Sequence, residues 1–174
     1  AQLEYNFALS KGLKKNMALA LNTQGVLFVN KGDYANAIDF YILSLHIWEE
    51  IDNKRGISNT LNNIGIIYKE QGDYSSAIDY YNRSLKIRKE IGNKRGIATS
   101  FNNIGNIYNA QGDYAIAIDY YNRSLSIKEE FGDKRAIAIS LNIIGNVYAE
   151  LGDFAKAIDY YTRSLSIREK IRDK

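Results

Sequence analysis

The chain has 174 residues, of which 45% are hydrophobic and 25% charged, with a formal net charge of +3. This balance is typical of a folded globular protein and excludes a disordered chain. The absence of cysteine excludes disulfides and thiolate sites, and no stretch approaches the about 18 uninterrupted apolar residues that indicate a membrane span. The absence of proline favours long, unbroken helices.

Four copies of a 40-residue unit account for almost the whole chain. Residues 51–90 and 91–130 are identical at 27 of 40 positions. Two columns of glycine recur with the same period, and each glycine of the second column begins a Gly-Asp-Tyr or Gly-Asp-Phe triplet. The columns are Gly25, Gly65, Gly105 and Gly145, and Gly32, Gly72, Gly112 and Gly152. Such a fixed period is the signature of a repeat architecture.

Each unit predicts two helices, here named helix A and helix B. In the second unit, apolar and small residues follow one face of a helix from Ile57 to Tyr68. Gly72 then ends helix A, and Asp73 is a favourable N-cap for helix B. The repeat therefore predicts helices at 16–31 and 34–51, 55–71 and 74–91, 95–111 and 114–131, and 135–151 and 154–172.

The small residues inside these helices predict close helix crossings. Glycine in a helix interior costs about 1 kcal/mol relative to alanine. The same cost at Gly25, Gly65, Gly105 and Gly145 indicates that no side chain fits there. A matching alanine column in helix B has the same meaning, with Ala37, Ala77, Ala117 and Ala157.

The register divides the chain into repeats at 14–53, 54–93, 94–133 and 134–174. Residues 1–13 fit the end of a preceding helix B, so we expect a fragment of a longer continuous array. Arrays normally need polar capping helices at their ends. Without them, both ends should expose apolar side chains and favour end-to-end self-association, at Leu3, Phe7 and Leu13 and at Tyr161, Leu165 and Ile171.

One segment of the second repeat resembles the tetratricopeptide signature. It runs Leu61-x-x-Ile64-Gly65-x-x-Tyr68, then Gly72-Asp73-Tyr74-x-x-Ala77-x-x-x-Tyr81-x-x-Ser84-Leu85. The period exceeds the common value of about 34, and Lys89 and Glu129 replace the proline that usually ends helix B. In these respects the chain is similar to the longer repeats of kinesin light chains, of Leu-Gly-Asn-type proteins and of arrays in bacterial sensor proteins.

The resemblance implies an all-α fold, a right-handed superhelical solenoid of antiparallel helix pairs. It also implies that the A helices line a concave groove that binds peptides. The wheel of helix A places asparagine on the face next to the buried side, although asparagine is a mediocre helix former. These candidate binding residues are Asn22, Asn59, Asn62, Asn63, Asn102, Asn103, Asn106, Asn109, Asn142 and Asn146.

Two interpretations of the asparagines stay open. Their amides offer both a donor and an acceptor, which suits hydrogen bonding to the backbone of an extended peptide. Alternatively, they connect helix A to the neighbouring repeat. Lys69 is the only cation on this face, which argues against a clamp for a charged C-terminus. Apolar residues at its two ends, such as Val26 and Ile143, suggest pockets for apolar side chains.

The predicted function is therefore a protein-interaction scaffold with a protein or peptide partner. A self-associating structural array is an alternative, and an RNA-binding helical repeat is a weaker one, since the low net charge argues against nucleic acid. No motif for catalysis, a metal or a cofactor is recognisable, and His46 is the only histidine, so we expect no enzyme. The tyrosines follow the repeat and are expected to pack between helices. The compartment stays open, with the cytoplasm favoured.

Overall fold

The computed structural model describes the backbone of residues 2–172 and the side chains of residues 10–172. Within that range the fold is all-α, with eight helices and no strand, as the repeat predicts. The helices are α1 (Gln2–Asn30), α2 (Tyr34–Glu50), α3 (Lys54–Glu70), α4 (Tyr74–Glu90), α5 (Lys94–Ala110), α6 (Tyr114–Glu130), α7 (Lys134–Glu150) and α8 (Phe154–Arg172). From α3 onward, the bounds lie within about two residues of those predicted, which is the ordinary scatter of helix ends.

The turns between helices use the residues that the sequence assigns to them. Gly72 ends α3 in the left-handed region, with φ of +78°, which favours glycine. The Asp73 carboxylate then accepts a hydrogen bond from the Ser76 backbone N–H at 3.0 Å. Hydrogen bonds from the Ser76 side chain and backbone lower the pKa of Asp73 below its usual 3.8. Asn53 caps α3 in the same way through the Gly56 N–H at 2.9 Å.

Helix α1 differs from the prediction, because it continues without interruption through residues 11–16. The equivalent turn before α3 has Asp52 at a φ of +51° and Asn53 as the N-cap. In α1 the corresponding residues are Gly12 and Leu13, and leucine has no oxygen to cap a new helix. The break expected before residue 16 is therefore absent. The assignment of residues 1–13 to a preceding repeat stays a prediction.

The chain divides into two compact units, residues 1–92 and 93–174. In unit 1, α1 packs on α2 and α3 on α4, with α2 against α3. Unit 2 has the same arrangement of α5 on α6, α7 on α8 and α6 against α7. The core of each unit lies between these helices and centres on Tyr41, Ile64 and Ile67 in unit 1, and on Tyr121, Leu141 and Ile144 in unit 2.

The predicted close crossings are confirmed. A Cβ on Gly65 would lie 2.7 Å from Cε1 of Tyr81, and one on Gly145 would lie 2.7 Å from Cε1 of Tyr161. Tyr81 is only 1% exposed, so its ring is held against the glycine. The alanine column is equally buried, at Ala37, Ala77, Ala117 and Ala157. Each repeat therefore fixes its A and B helices by placing a tyrosine ring over a glycine.

Candidate functional site

The predicted asparagines lie along the A helices α1, α3, α5 and α7, where several of them meet side chains of helix B. Their accessibility is not uniform, because Asn62 is only 7% exposed. Two side chains are exposed, at Asn59 and Asn146, and seven are half-buried, at Asn22, Asn63, Asn102, Asn103, Asn106, Asn109 and Asn142. The face is thus a shallow, partly covered surface rather than a fully solvated one.

In unit 1 the amide of Asn22 connects helices. Its Nδ2 donates to Ser44 Oγ of α2 and to Thr60 Oγ1 of α3, both at 2.9 Å. The Nδ2 of Asn63 lies 3.5 Å from the Asn22 Oδ1. This side chain therefore fulfils the structural interpretation, in which an amide fixes helix A against its neighbour.

Helix α4 adds a cation beneath the same face. Arg88 is 4% exposed, and its guanidinium donates to Asn62 Oδ1 at 3.2 Å and to Asn59 Oδ1 at 3.3 Å. Burial lowers the pKa of Arg88 below its ordinary value. The expectation that Lys69 is the only cation available to this face is therefore wrong. It considered helix A alone, whereas Arg88 reaches the asparagines from helix B.

In unit 2 two tyrosines orient the asparagine amides. The hydroxyl of Tyr121 donates to Asn106 Oδ1 at 2.8 Å, and that of Tyr161 donates to Asn146 Oδ1 at the same distance. Burial, with a smaller contribution from the charge of Glu150, raises the pKa of Tyr121 to about 12. The phenol hence stays protonated as a donor at neutral pH, and the Asn106 Nδ2 is left to donate elsewhere.

Two further amides of unit 2 keep their full hydrogen-bonding capacity. Among the residues that the structure describes, the side chains of Asn102 and Asn142 form no hydrogen bond. The Oδ1 of Asn109 is buried and likewise has no partner within residues 10–172. The single asparagine column of the sequence therefore separates into structural amides in unit 1 and available amides in unit 2.

One column of helix B contributes to the difference between Asn22, Asn62 and Asn102. It contains Trp48, Arg88, Lys128 and Arg168 at the same register. Next to Trp48, which has no long polar arm, Asn22 itself donates to Thr60. Arg88 instead donates to Asn62, and Lys128 donates to Ser140 Oγ at 2.6 Å, which is the position equivalent to Thr60. The Ser140 hydroxyl thus accepts from Lys128, and Asn102 does not donate to it.

A buried column of serines on helix B was not predicted from the sequence. In every repeat its hydroxyl donates to a helix A carbonyl 26 residues earlier, at 2.7 to 2.9 Å. The donors are Ser44, Ser84, Ser124 and Ser164, and the acceptors are Ala18, Ser58, Ala98 and Ala138. Serine four times in a helix interior, where it is only a moderate helix former, was the available signal.

The expectation that the tyrosines pack within repeats is confirmed. Tyr68 stacks on Tyr80 with ring centroids 5.4 Å apart, and Tyr148 stacks on Tyr160 at the same distance. The Arg83 guanidinium covers the outer ring of the first pair, 5.0 Å from the Tyr80 centroid. These ring pairs therefore connect the end of helix A to the first half of helix B.

The part of the chain that the structure describes contains neither a metal-binding cluster nor a membrane-spanning helix. Within the described residues, no three His, Cys, Asp or Glu side chains converge in a way that could hold a metal ion. None of the described helices is both long and apolar enough to cross a membrane.

The expectation that apolar side chains are exposed at both ends agrees in part with the structure. Leu13 and Leu165 are exposed, while Tyr161 and Ile171 are half-buried. Leu3 and Phe7 lie outside the side chains that the structure describes.

Comparison with known proteins identifies the repeat. The family model described as Tetratricopeptide repeat matches residues 16–90 and 96–170. A comparison with curated protein sequences finds no significant match. Solved structures resemble the chain at low identity, which shows the fold alone.

Three of these structures illustrate the similarity. BtubC (BKLC) from P. vanneervenii has a TM-score of 0.80 at 24% identity, over 90% of this chain and 65% of that one. Aspartyl phosphate phosphatase F from Bacillus subtilis has a TM-score of 0.86 at 17% identity, over 92% of this chain and 42% of that one. MamA has a TM-score of 0.67 at 21% identity, over 90% of this chain and 81% of that one. The chain thus spans less than two thirds of the first two proteins.

Proposed function

We propose that this chain, which belongs to the tetratricopeptide repeat family, is a protein-interaction scaffold that binds an extended peptide along the asparagine face of its A helices. The orientation of the amides carries the proposal. Arg88 donates to the Oδ1 of Asn59, and Tyr121 and Tyr161 donate to the Oδ1 atoms of Asn106 and Asn146. In each case the oxygen is used inside the protein and the NH2 group is left to donate.

Such a face selects acceptors in its ligand. The backbone carbonyls of an extended peptide offer one acceptor per residue whatever the side chains are. The free amides of Asn102 and Asn142 add both donors and acceptors, so they also suit the peptide N–H groups. Buried Arg88 increases the positive potential below Asn59, which favours carbonyl oxygens and disfavours a cationic segment at that point.

The test compares amides that are available with an amide that lies elsewhere. Peptides selected from a random library by the immobilised chain are titrated against Asn102→Ala, Asn142→Ala and the double variant. We expect each substitution to weaken binding by about 1 kcal/mol, or about fivefold. Asn122→Ala is the matched control, because Asn122 is exposed on α6 and away from this face.

One outcome would contradict this proposal. Unchanged affinity in the double variant, with a helical circular dichroism spectrum like that of the original chain, would exclude the asparagine face as the binding surface. Asn62→Ala is unsuitable for this purpose, because Asn62 is buried and accepts from Arg88. Its loss would remove one acceptor of a buried guanidinium and lower stability instead.

Self-association is the second candidate function, and the surface of α8 favours it. Phe154, Ile158 and Leu165 are 66%, 63% and 56% exposed. A second copy of the chain could cover these side chains. Sedimentation velocity over a wide concentration range tests this, since Ile158→Lys with Leu165→Lys should remove any concentration dependence. A strictly monomeric original chain would exclude the idea.

A further inference from the structure

Unit 2 contains a half-enclosed cleft at the turn between α6 and α7, next to the asparagine face. Its volume is about 180 Å³. The walls come from the start of α5, the end of α6 and the start of α7. The lining residues are Arg95, Ala98, Lys128, Phe131, Asp133 and Ala136. Since engineered apolar cavities of about 150 Å³ bind benzene, a space of this size admits an aromatic ring.

Unit 1 shows what fits the corresponding space. There the residue equivalent to Lys128 is Trp48, which is 3% exposed and packs against Ala18 and Ile51. The indole lies directly on Gly56, where a Cβ would come within 2.2 Å of the Trp48 ring. The same fold thus fills this space with an indole in unit 1, whereas lysine leaves it open in unit 2.

The open cleft carries positive charge at its edge. Lys128 Nζ uses one of its three N–H donors on Ser140 Oγ. The Arg95 guanidinium covers the Phe131 ring, 5.5 Å from its centroid. Asp133 also lines the cleft, but its carboxylate is engaged as the N-cap of α7, accepting from the Ala136 N–H at 3.0 Å. Among the described residues neither cation of the cleft forms a salt bridge, so the lining has one excess positive charge.

We propose that this cleft binds a small planar aromatic carboxylate. The ring occupies the space that Trp48 fills in unit 1, between Ala98, Phe131 and Ala136. The carboxylate accepts from the remaining N–H groups of Lys128 and from the Arg95 guanidinium. This site is separate from the peptide-binding proposal, although Arg95 lies on the same stripe of α5 as Asn102 and Asn106, so an occupied cleft would adjoin a bound peptide.

Indole-3-acetate and neutral indole are the probes, titrated into the 174-residue chain by calorimetry and by amide chemical shifts. At about 0.3 kcal/mol per non-hydrogen atom, a probe of about 13 such atoms binds with a Kd of about 1 mM. We expect indole-3-acetate to bind about three- to fivefold more tightly than indole, as an exposed ion pair allows. Shifts should concentrate at the ends of α6 and the starts of α5 and α7.

Two variants distinguish the contribution of the aromatic ring to binding from the contribution of the charge. Lys128→Trp with Ala136→Gly copies Trp48 and Gly56 into unit 2, fills the cleft and should abolish binding of both probes. Lys128→Met keeps the space but removes one of the two cations and with it the excess positive charge, so indole-3-acetate should lose most of its advantage over indole. Ser126→Trp is the matched control, because it introduces the same side chain at an exposed position of α6 outside the cleft and should leave binding unchanged.

Three results would overturn the proposal: no binding of either probe at ten times the expected Kd, shifts centred outside the cleft, or undiminished binding in the filled variant. If Lys128→Trp with Ala136→Gly does not fold, the affinities of the two probes for Lys128→Met and for the original chain still test the proposal. Asn102→Ala with Asn142→Ala should leave probe binding intact. A failure of the cleft is therefore distinguishable from a failure of the peptide-binding face.

Discussion

Replacing Gly65 by alanine tests whether the tyrosine rings set the distance between helices A and B. Alanine at a helical position gains about 1 kcal/mol over glycine. Against this, the new Cβ would lie 2.7 Å and 2.8 Å from two carbons of the Tyr81 ring. Optimal carbon–carbon separations are about 3.5–4.0 Å, so the ring must retreat by about 1 Å.

The burial of Tyr81 decides whether Gly65→Ala stabilises or destabilises the chain. A ring that is only 1% exposed cannot swing into solvent, so the upper part of the range for overpacking, about 3 kcal/mol, applies. After subtracting the helix propensity, we expect Gly65→Ala to lower the free energy of unfolding by about 2 kcal/mol. Urea denaturation followed by circular dichroism at 222 nm measures this.

Gly12→Ala is the matched control in the same unit. Gly12 lies inside α1, and a Cβ there would meet no described atom within 4 Å. The same chemical change should therefore stabilise the chain by up to about 1 kcal/mol. If Gly65→Ala also stabilised the chain, the tight contact with Tyr81 would not exist and the account of the glycine column would be refuted.

Three further outcomes are expected. Ser84→Ala removes the buried hydrogen bond to the Ser58 carbonyl and should cost about 0.5–1 kcal/mol net in urea denaturation, because alanine's better helix propensity offsets part of the loss. Burial raises the pKa of Tyr121 from 10 to about 12, so the contribution of the Tyr121 hydroxyl to stability should be complete below pH 10 and decline as the pH rises towards 12. Melting temperatures of the original chain and of Tyr121→Phe between pH 10 and pH 12 measure this decline. Glu90→Gln breaks the ion pair with Lys54, whose side chain is 48% exposed. The free energy of unfolding in urea should therefore change by less than about 0.5 kcal/mol, and by less still in high salt.

Much of the fold was predictable because the repeat presents the same evidence four times. A single glycine inside a helix is ambiguous, but Gly65 and its three equivalents could only mean a close crossing. The turn at Gly72 and Asp73 was equally clear, since it combines a helix stop with an N-cap. The exception is α1, where the register predicted a turn but Leu13 lacks the capping oxygen that makes one.

The candidate face was predictable in its position but not in its chemistry. A helical wheel places Asn22, Asn62 and Asn102 in one column and treats them alike. Their hydrogen bonds differ because the partners come from other helices, such as Ser44 for Asn22 and Arg88 for Asn62. A wheel of helix A contains no information about which side chain helix B directs towards it.

The sequence by itself determined the all-α repeat, the helix bounds after α1 and the columns of small residues, because each follows from local propensity and from a period visible along the chain. Only the tertiary structure decided which asparagines are structural and which are available. It also decided that one column of helix B fills a cleft at Trp48 and leaves it open at Lys128. These outcomes depend on distances between side chains far apart in sequence, and such distances exist only after the helices have packed.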